Sequence, residues 1–129
     1  KKKGKHKAKQ NVKDNKDAEN NLERKTTINE EARHDKTASI KACDLYENGY
    51  FAHEDLQGRK SYHLMTEAGW HVTYAGENLL RFYVPITNER VIEDWLNSPK
   101  HKEVMLNPVY TDMGIGRCGN IIVAHFGTR

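Results

Sequence analysis

Four short segments follow one another along this chain: GYFAHED (49–55), AGEN (75–78), WLNSPKH (95–101) and MGIGR (113–117). Each of the first three sets a histidine or carboxylate beside a glycine or proline, which is how a fold presents polar groups at the ends of its elements instead of burying them. The product expected from this order is one shared site built from His53, Glu77 and His101.

The stretches between these segments supply the elements that would carry the site. From Ile28 to Gly49 the apolar positions Ala38, Ala42, Leu45 and Tyr46 form one helical stripe, closed by the stop signal Asn48-Gly49. An Ala-rich face of this kind is expected to pack on a sheet. Leu64 to Ala68 reads as a short helix stopped by Gly69, and the alternation of Trp70, Val72 and Tyr74 reads as a strand running into a bend at Gly76-Glu77-Asn78. Thr87 or Asn88 can cap a helix with Val91, Ile92, Trp95 and Leu96 inward. Ser98 then serves as the next N-cap, with Pro99 at the first helical position, which puts His101 in a first turn. Asp112–Arg117 and Ile121–Phe126 read as two hairpin strands joined through Cys118-Gly119-Asn120. Helices flanking a small antiparallel sheet make an α+β fold of three layers.

Charge divides the chain unevenly. Residues 1–25 hold ten Lys or Arg against four Asp or Glu, whereas residues 26–129 hold eleven against fourteen. The basic character therefore belongs to a leader over 1–25, and the folded domain is expected over 26–129. With Ala8, Val12, Ala18 and Leu22 as its apolar side chains, the leader has little to offset the entropy of ordering it. Two roles fit it: a solvated spacer, or a tether to cell-wall polymers or another anionic surface. A specific nucleic-acid module would need basic residues interleaved with aromatics on the folded part, which is net acidic.

No apolar run approaches the ~20 residues that span a bilayer, and the first residue is not Met, as in a processed chain. Cys43 and Cys118 lie far apart, with no CxxC or Cys/His ligand spacing. They form either one long-range disulfide, as an exported protein allows, or two unpaired buried thiols.

Two imidazoles and a carboxylate in a cleft either hold a divalent cation or act as acid and base on a bound substrate. Zn²⁺ is the metal that two histidines and a carboxylate favour. Glu77 is the candidate catalytic base. His63, His71 and His125 belong to none of the four segments and are expected to be solvated or sheet-face histidines.

Taken together, Tyr50-Phe51-Ala52-His53, Ala68-Gly69-Trp70, Gly76-Glu77-Asn78, Trp95-Leu96-Asn97-Ser98-Pro99-Lys100-His101, Gly114-Ile115-Gly116 and Ala124-His125-Phe126-Gly127 closely resemble the CAP superfamily (cysteine-rich secretory proteins, antigen 5, pathogenesis-related 1), in its bacterial SCP-domain branch. The resemblance runs from about Ile28 to Gly127. It implies an α-β-α sandwich with a small, mainly antiparallel central sheet, in a secreted or cell-surface protein, here expected as a monomer. It further implies a metal-binding cluster of two His and two Glu, to which His53, Glu77 and His101 correspond, while Ser98 stands where the eukaryotic branch has its second Glu and Glu93, two residues before Trp95, is the fourth candidate ligand. The family's opening helix would fall on Gln10 to Arg24, where its apolar stripe is almost absent.

Three functions follow as expectations. The first is a cleft that binds a divalent metal and an extracellular ligand. The second is a hydrolase of peptide or cell-wall bonds that uses metal-bound water with Glu77 as base. The third is a lipid or sterol carrier, for which Phe82-Tyr83-Val84-Pro85-Ile86 is the candidate apolar stretch.

Overall fold

A computed structural model describes residues 33–128 and, before them, Asn20 alone, which is helical and exposed. The expectations for the lysine-rich leader and the family's opening helix lie outside the described residues. Elements follow in the order α1 (Arg33–Asn48), α2 (Tyr62–Glu67), β1 (Ala75–Arg81), α3 (Asn88–Leu96), α4 (Pro99–Leu106), β2 (Asp112–Cys118) and β3 (Ile121–Gly127). The three strands form one antiparallel sheet in the order β1-β3-β2. With helices on both faces, this is the three-layer α+β sandwich the sequence implies.

β3 is central and buried along its whole length, so its two faces define two cores. On one, Ile121 and Val123 meet Ala38, Ala42 and Leu45 of α1, with Leu79 of β1 beside them. On the other, Ile122, Ala124 and Phe126 meet Val91, Trp95 and Leu96 of α3, Met105 of α4 and Met113 of β2. The alanines of α1 matter because they let the helix sit close to the sheet. Gly114 and Gly116 complete that fit: a Cβ on Gly116 would stand 2.2 Å from the backbone nitrogen of Ser39, and one on Gly114 would stand 2.3 Å from that of Asp35. MGIGR is therefore the surface on which α1 lies. The Asp35 carboxylate also accepts from the Ile115 backbone N–H at 2.8 Å.

Local signals end the helices as expected. Gly49 takes φ 66°, and the Tyr50 N–H reaches the Leu45 carbonyl at 3.3 Å, closing α1 with a six-to-one Schellman bond. Thr87 caps α3 through its hydroxyl, which accepts from the Arg90 N–H at 3.2 Å. A disulfide joins Cys43 of α1 to Cys118 at the end of β2, with Cα atoms 4.9 Å apart, and settles the two alternatives for the cysteines.

Two sequence expectations are corrected. The strand is Ala75–Arg81 rather than Trp70–Tyr74, and Gly76-Glu77-Asn78 is not a bend but the first half of β1. Alternation at Trp70, Val72 and Tyr74 imitates a strand, yet Trp70 lies against His34, with ring centroids 4.3 Å apart, rather than in the sheet. The glycine in AGEN is there for proximity: a Cβ on Gly76 would stand 2.7 Å from the Tyr110 hydroxyl and 2.8 Å from the ring carbon that bears it. Ser98 does occupy the N-cap of α4, but its hydroxyl makes no bond to that helix's backbone N–H groups. It goes instead to the ring of His101.

Candidate functional site

β1 lies at the edge of the sheet and carries Glu77 on the face that looks toward α1. Opposite Glu77 in the register stands His125 of the buried central strand. Glu77 is only 8% exposed in its side chain, and both of its oxygens are engaged. Oε1 lies 2.9 Å from His53 Nδ1, and Oε2 lies 2.7 Å from His125 Nε2 and accepts from the hydroxyl of Ser61. Burial by itself would raise the Glu77 pKa, but these bonds from His125 and His53 outweigh it and hold the carboxyl down at about 2. Glu77 is a carboxylate held ionised by these bonds, a poor general base at neutral pH.

His53 sits on the loop between α1 and α2, held at both its backbone and its ring. Lys41, buried in α1, donates from Nζ to the His53 carbonyl at 3.1 Å and to the Tyr50 hydroxyl at 3.2 Å. Tyr50 in turn donates to Asp44. Burial lowers the Lys41 pKa, against the pull of Glu77, Asp44 and Asp55. Burial and the Asp44 bond push the Tyr50 phenol up. With Nδ1 on Glu77, the His53 side chain remains 63% exposed.

His101 enters from α4. Its Nδ1 lies 2.8 Å from Ser98 Oγ, its ring stacks on Trp95 at 6.4 Å, and its carbonyl accepts from Asn78 Nδ2 at 3.2 Å. Asn78 therefore ties the start of α4 to β1 rather than shaping a turn. Burial, then the neighbouring His53, lowers the His101 pKa. Glu93 lies on the exposed face of α3 and lines neither of the cavities that meet at His53.

The structure thus brings His53 and Glu77 into direct contact and sets His101 beside His53 on a shared cavity wall. It does not assemble a ready three-ligand metal centre from them. Among the described residues, the group of three possible ligand atoms gathered within 4.8 Å is that of Cys43, Glu47 and Cys118, whose cysteines are bonded to each other. With Oε1 and Oε2 of Glu77 already accepting hydrogen bonds, the residues present do not fit a three-ligand zinc site without rearrangement.

Sequence reasoning missed His125, Ser61 and Lys41. His125 is fully buried on the α1 face of β3, with Thr37 Oγ1 2.8 Å from its Nδ1. A signal was present: Ile121, Val123 and His125 share a strand face by alternation, and a polar residue on an otherwise apolar face calls for a partner. His34 is the second buried imidazole, and its ring nitrogens have no hydrogen-bond partner among the described residues. Burial and then His125 lower its pKa to about 4.

Two open cavities follow the outer edge of β1 and meet at His53. The first, about 730 Å³, runs past Ala75, Gly76 and Glu77 between Tyr74 and Tyr62. The second, about 460 Å³, runs past Leu79, Leu80 and Arg81 to Phe51, Tyr83 and His101. A third depression, of about 570 Å³, lies between α1 and the loop at Asp55.

Residues 28–120 match the sequence profile of CAP, the cysteine-rich secretory protein family. The uncharacterized Bacillus subtilis protein YkwD is 32% identical over 81 residues, covering 63% of this chain and 31% of that protein. The uncharacterized membrane protein YlbC of the same organism is 34% identical over 73 residues, covering 57% and 20%. The chain thus spans less than a third of these curated relatives. Among solved structures, an extracellular protein containing an SCP domain from Bacillus anthracis aligns with a TM-score of 0.69 at 22% identity, over 75% of this chain and 32% of that one. An outer surface protein of Borrelia burgdorferi aligns with a TM-score of 0.65 at 29% identity, over 75% and 74%. From the profile match over most of its length, and from a sandwich that these structures share, this chain belongs to the cysteine-rich secretory protein (CAP) family, in its bacterial SCP-domain branch.

Proposed function

We propose that this chain is an extracellular bacterial CAP domain that binds an extended ligand in the groove along the outer edge of β1, with His53 as the central polar contact. One observation carries the reading: two open cavities meet at an exposed imidazole whose other nitrogen is fixed on a buried carboxylate. Such a ring is pre-oriented, so a ligand group that meets Nε2 does not have to order it first. The outside location is supported by the disulfide and by the relatives named as extracellular or outer surface proteins. Among the described residues no helix is long and apolar enough to cross a membrane. A hydrolase with Glu77 as base draws no support from a carboxylate that already accepts from two imidazoles and a hydroxyl.

Co-sedimentation with isolated cell-envelope fragments tests the reading. It is run in about 0.5 M salt, where the attraction of the lysine-rich residues 1–25 is screened. Wild type is expected in the pellet, and a His53→Ala/Tyr74→Ala variant is expected to lose most of that binding. Equal sedimentation of the two would overturn the groove as the binding site.

A further inference from the structure

We infer that the ligand of this groove is a neutral oligosaccharide chain, read by aromatic ring faces at both ends and by His53 at the centre; the inference rests on the proposed binding role and names its substrate class. Three features of the groove carry it.

The first is where the exposed rings lie. Tyr62 and Tyr74 flank the first cavity, and Phe51 and Tyr83 flank the second. All four are exposed, Tyr74 at 57% and Tyr83 at 82%. Single exposed apolar side chains are ordinary on a protein surface, but rings placed along one groove on either side of a polar centre are a pattern. Pyranose rings present C–H faces that pack on the electron-rich faces of aromatic rings, and hydroxyls that hydrogen-bond in the plane between them. Arg81 lies over the Phe51 ring at 4.7 Å and takes one of its two faces.

The second is charge. Glu54, Glu77 and Lys60 line one cavity and Arg81 the other. Two carboxylates face two cations, so the groove is balanced and complements an uncharged chain. A polyanion such as a teichoic acid or nucleic acid would need a surplus of cations there.

The third is the state of the strand edge. Thr128 N–H bonds to the Tyr74 carbonyl and Phe82 N–H to the Asn120 carbonyl, so the even-numbered residues of β1 pair with β3. The odd-numbered ones turn their backbone groups outward to the groove. The Ala75 carbonyl accepts from the Tyr110 hydroxyl at 3.3 Å, and the Leu79 carbonyl accepts from Trp95 Nε1 at 3.2 Å. A peptide adding to this edge as a fourth strand needs those carbonyls and would have to displace both side chains. Capture through ring faces and side chains does not.

Calorimetric titration of the full chain tests the inference with three neutral hexasaccharides (chitohexaose, cellohexaose and maltohexaose) and, as the rival, an extended ten-residue Thr-Val peptide. Saturable binding of at least one saccharide is expected. Tyr74→Ala and Tyr83→Ala should each weaken it by about five- to tenfold, and Leu56→Ser, exposed at 70% and outside the groove, should leave it unchanged. Circular dichroism confirms that the variants fold. If the peptide binds with this sensitivity to Tyr74 and Tyr83 and no saccharide does, the saccharide assignment is wrong while the groove stands. If neither binds, or binding ignores both tyrosines, the groove reading falls with it.

Discussion

His125 Nε2 lies 2.7 Å from Glu77 Oε2, so the carboxylate at the cleft is anchored from beneath by an imidazole that no solvent reaches. Without that ring, Glu77 would be buried with one partner fewer and the Thr37 hydroxyl would lose a neighbour. His125→Ala is therefore expected to destabilise the fold by about 3 kcal/mol, the scale for emptying a buried ring site and leaving a buried carboxylate oxygen short of a hydrogen-bond partner. Urea denaturation at pH 7 measures it. A loss below about 1 kcal/mol would show that the contact contributes little.

Acid should unfold the domain in two steps of pH. Between the ordinary histidine value of 6.5 and about 4, the unfolded chain takes a proton at His34 that the folded chain excludes. Stability therefore falls as pH falls through that window. The lowered pKa of His101 acts in the same direction. A second decline follows from the ordinary carboxylate value of 4.5 down toward about 2, where the unfolded chain protonates Glu77 and the folded one does not. His34→Phe keeps a ring beside Trp70 and removes the proton site. It should flatten most of the upper limb in denaturation midpoints taken at pH 7, 5.5 and 4.5, and an unchanged slope would refute the assignment to His34.

Reduction is expected to cost about 4 kcal/mol, because the Cys43–Cys118 bond closes a loop with a sequence separation of 75 residues and restricts the unfolded chain accordingly. Thiol titration of the denatured, unreduced protein should find no free thiol. Two free thiols, or a melting temperature unmoved by reductant, would contradict the bond.

A zinc ion at this cleft has to compete with the donors on Glu77. Wild type is expected to bind Zn²⁺ no more than about tenfold more tightly than a His53→Ala/His101→Ala variant, roughly the gain from two loosely placed imidazoles. Calorimetric titration at pH 7.5 compares them. Stoichiometric submicromolar binding that disappears in the double variant would mean that the cleft rearranges around the metal and that Glu77 exchanges its partners.

The sequence by itself determined the helical stripe of α1, the caps at Gly49 and Thr87 and the hairpin of β2 and β3, and it singled out His53, Glu77 and His101 as candidates for one site. Those are local properties: periodicity, turn chemistry, and polar groups beside glycine or proline. Only the tertiary structure decided that Gly76-Glu77-Asn78 is a strand, because pairing with Ala124–Phe126 of β3 outweighs what a glycine and an asparagine prefer locally. It decided that Gly114 and Gly116 serve close approach to α1, since the nearest atoms belong to residues almost eighty positions away. It also decided that His125, outside the four segments that suggested the site, completes it from a neighbouring strand. The partner of a buried polar group is fixed by strand register, and register is a property of the whole sheet.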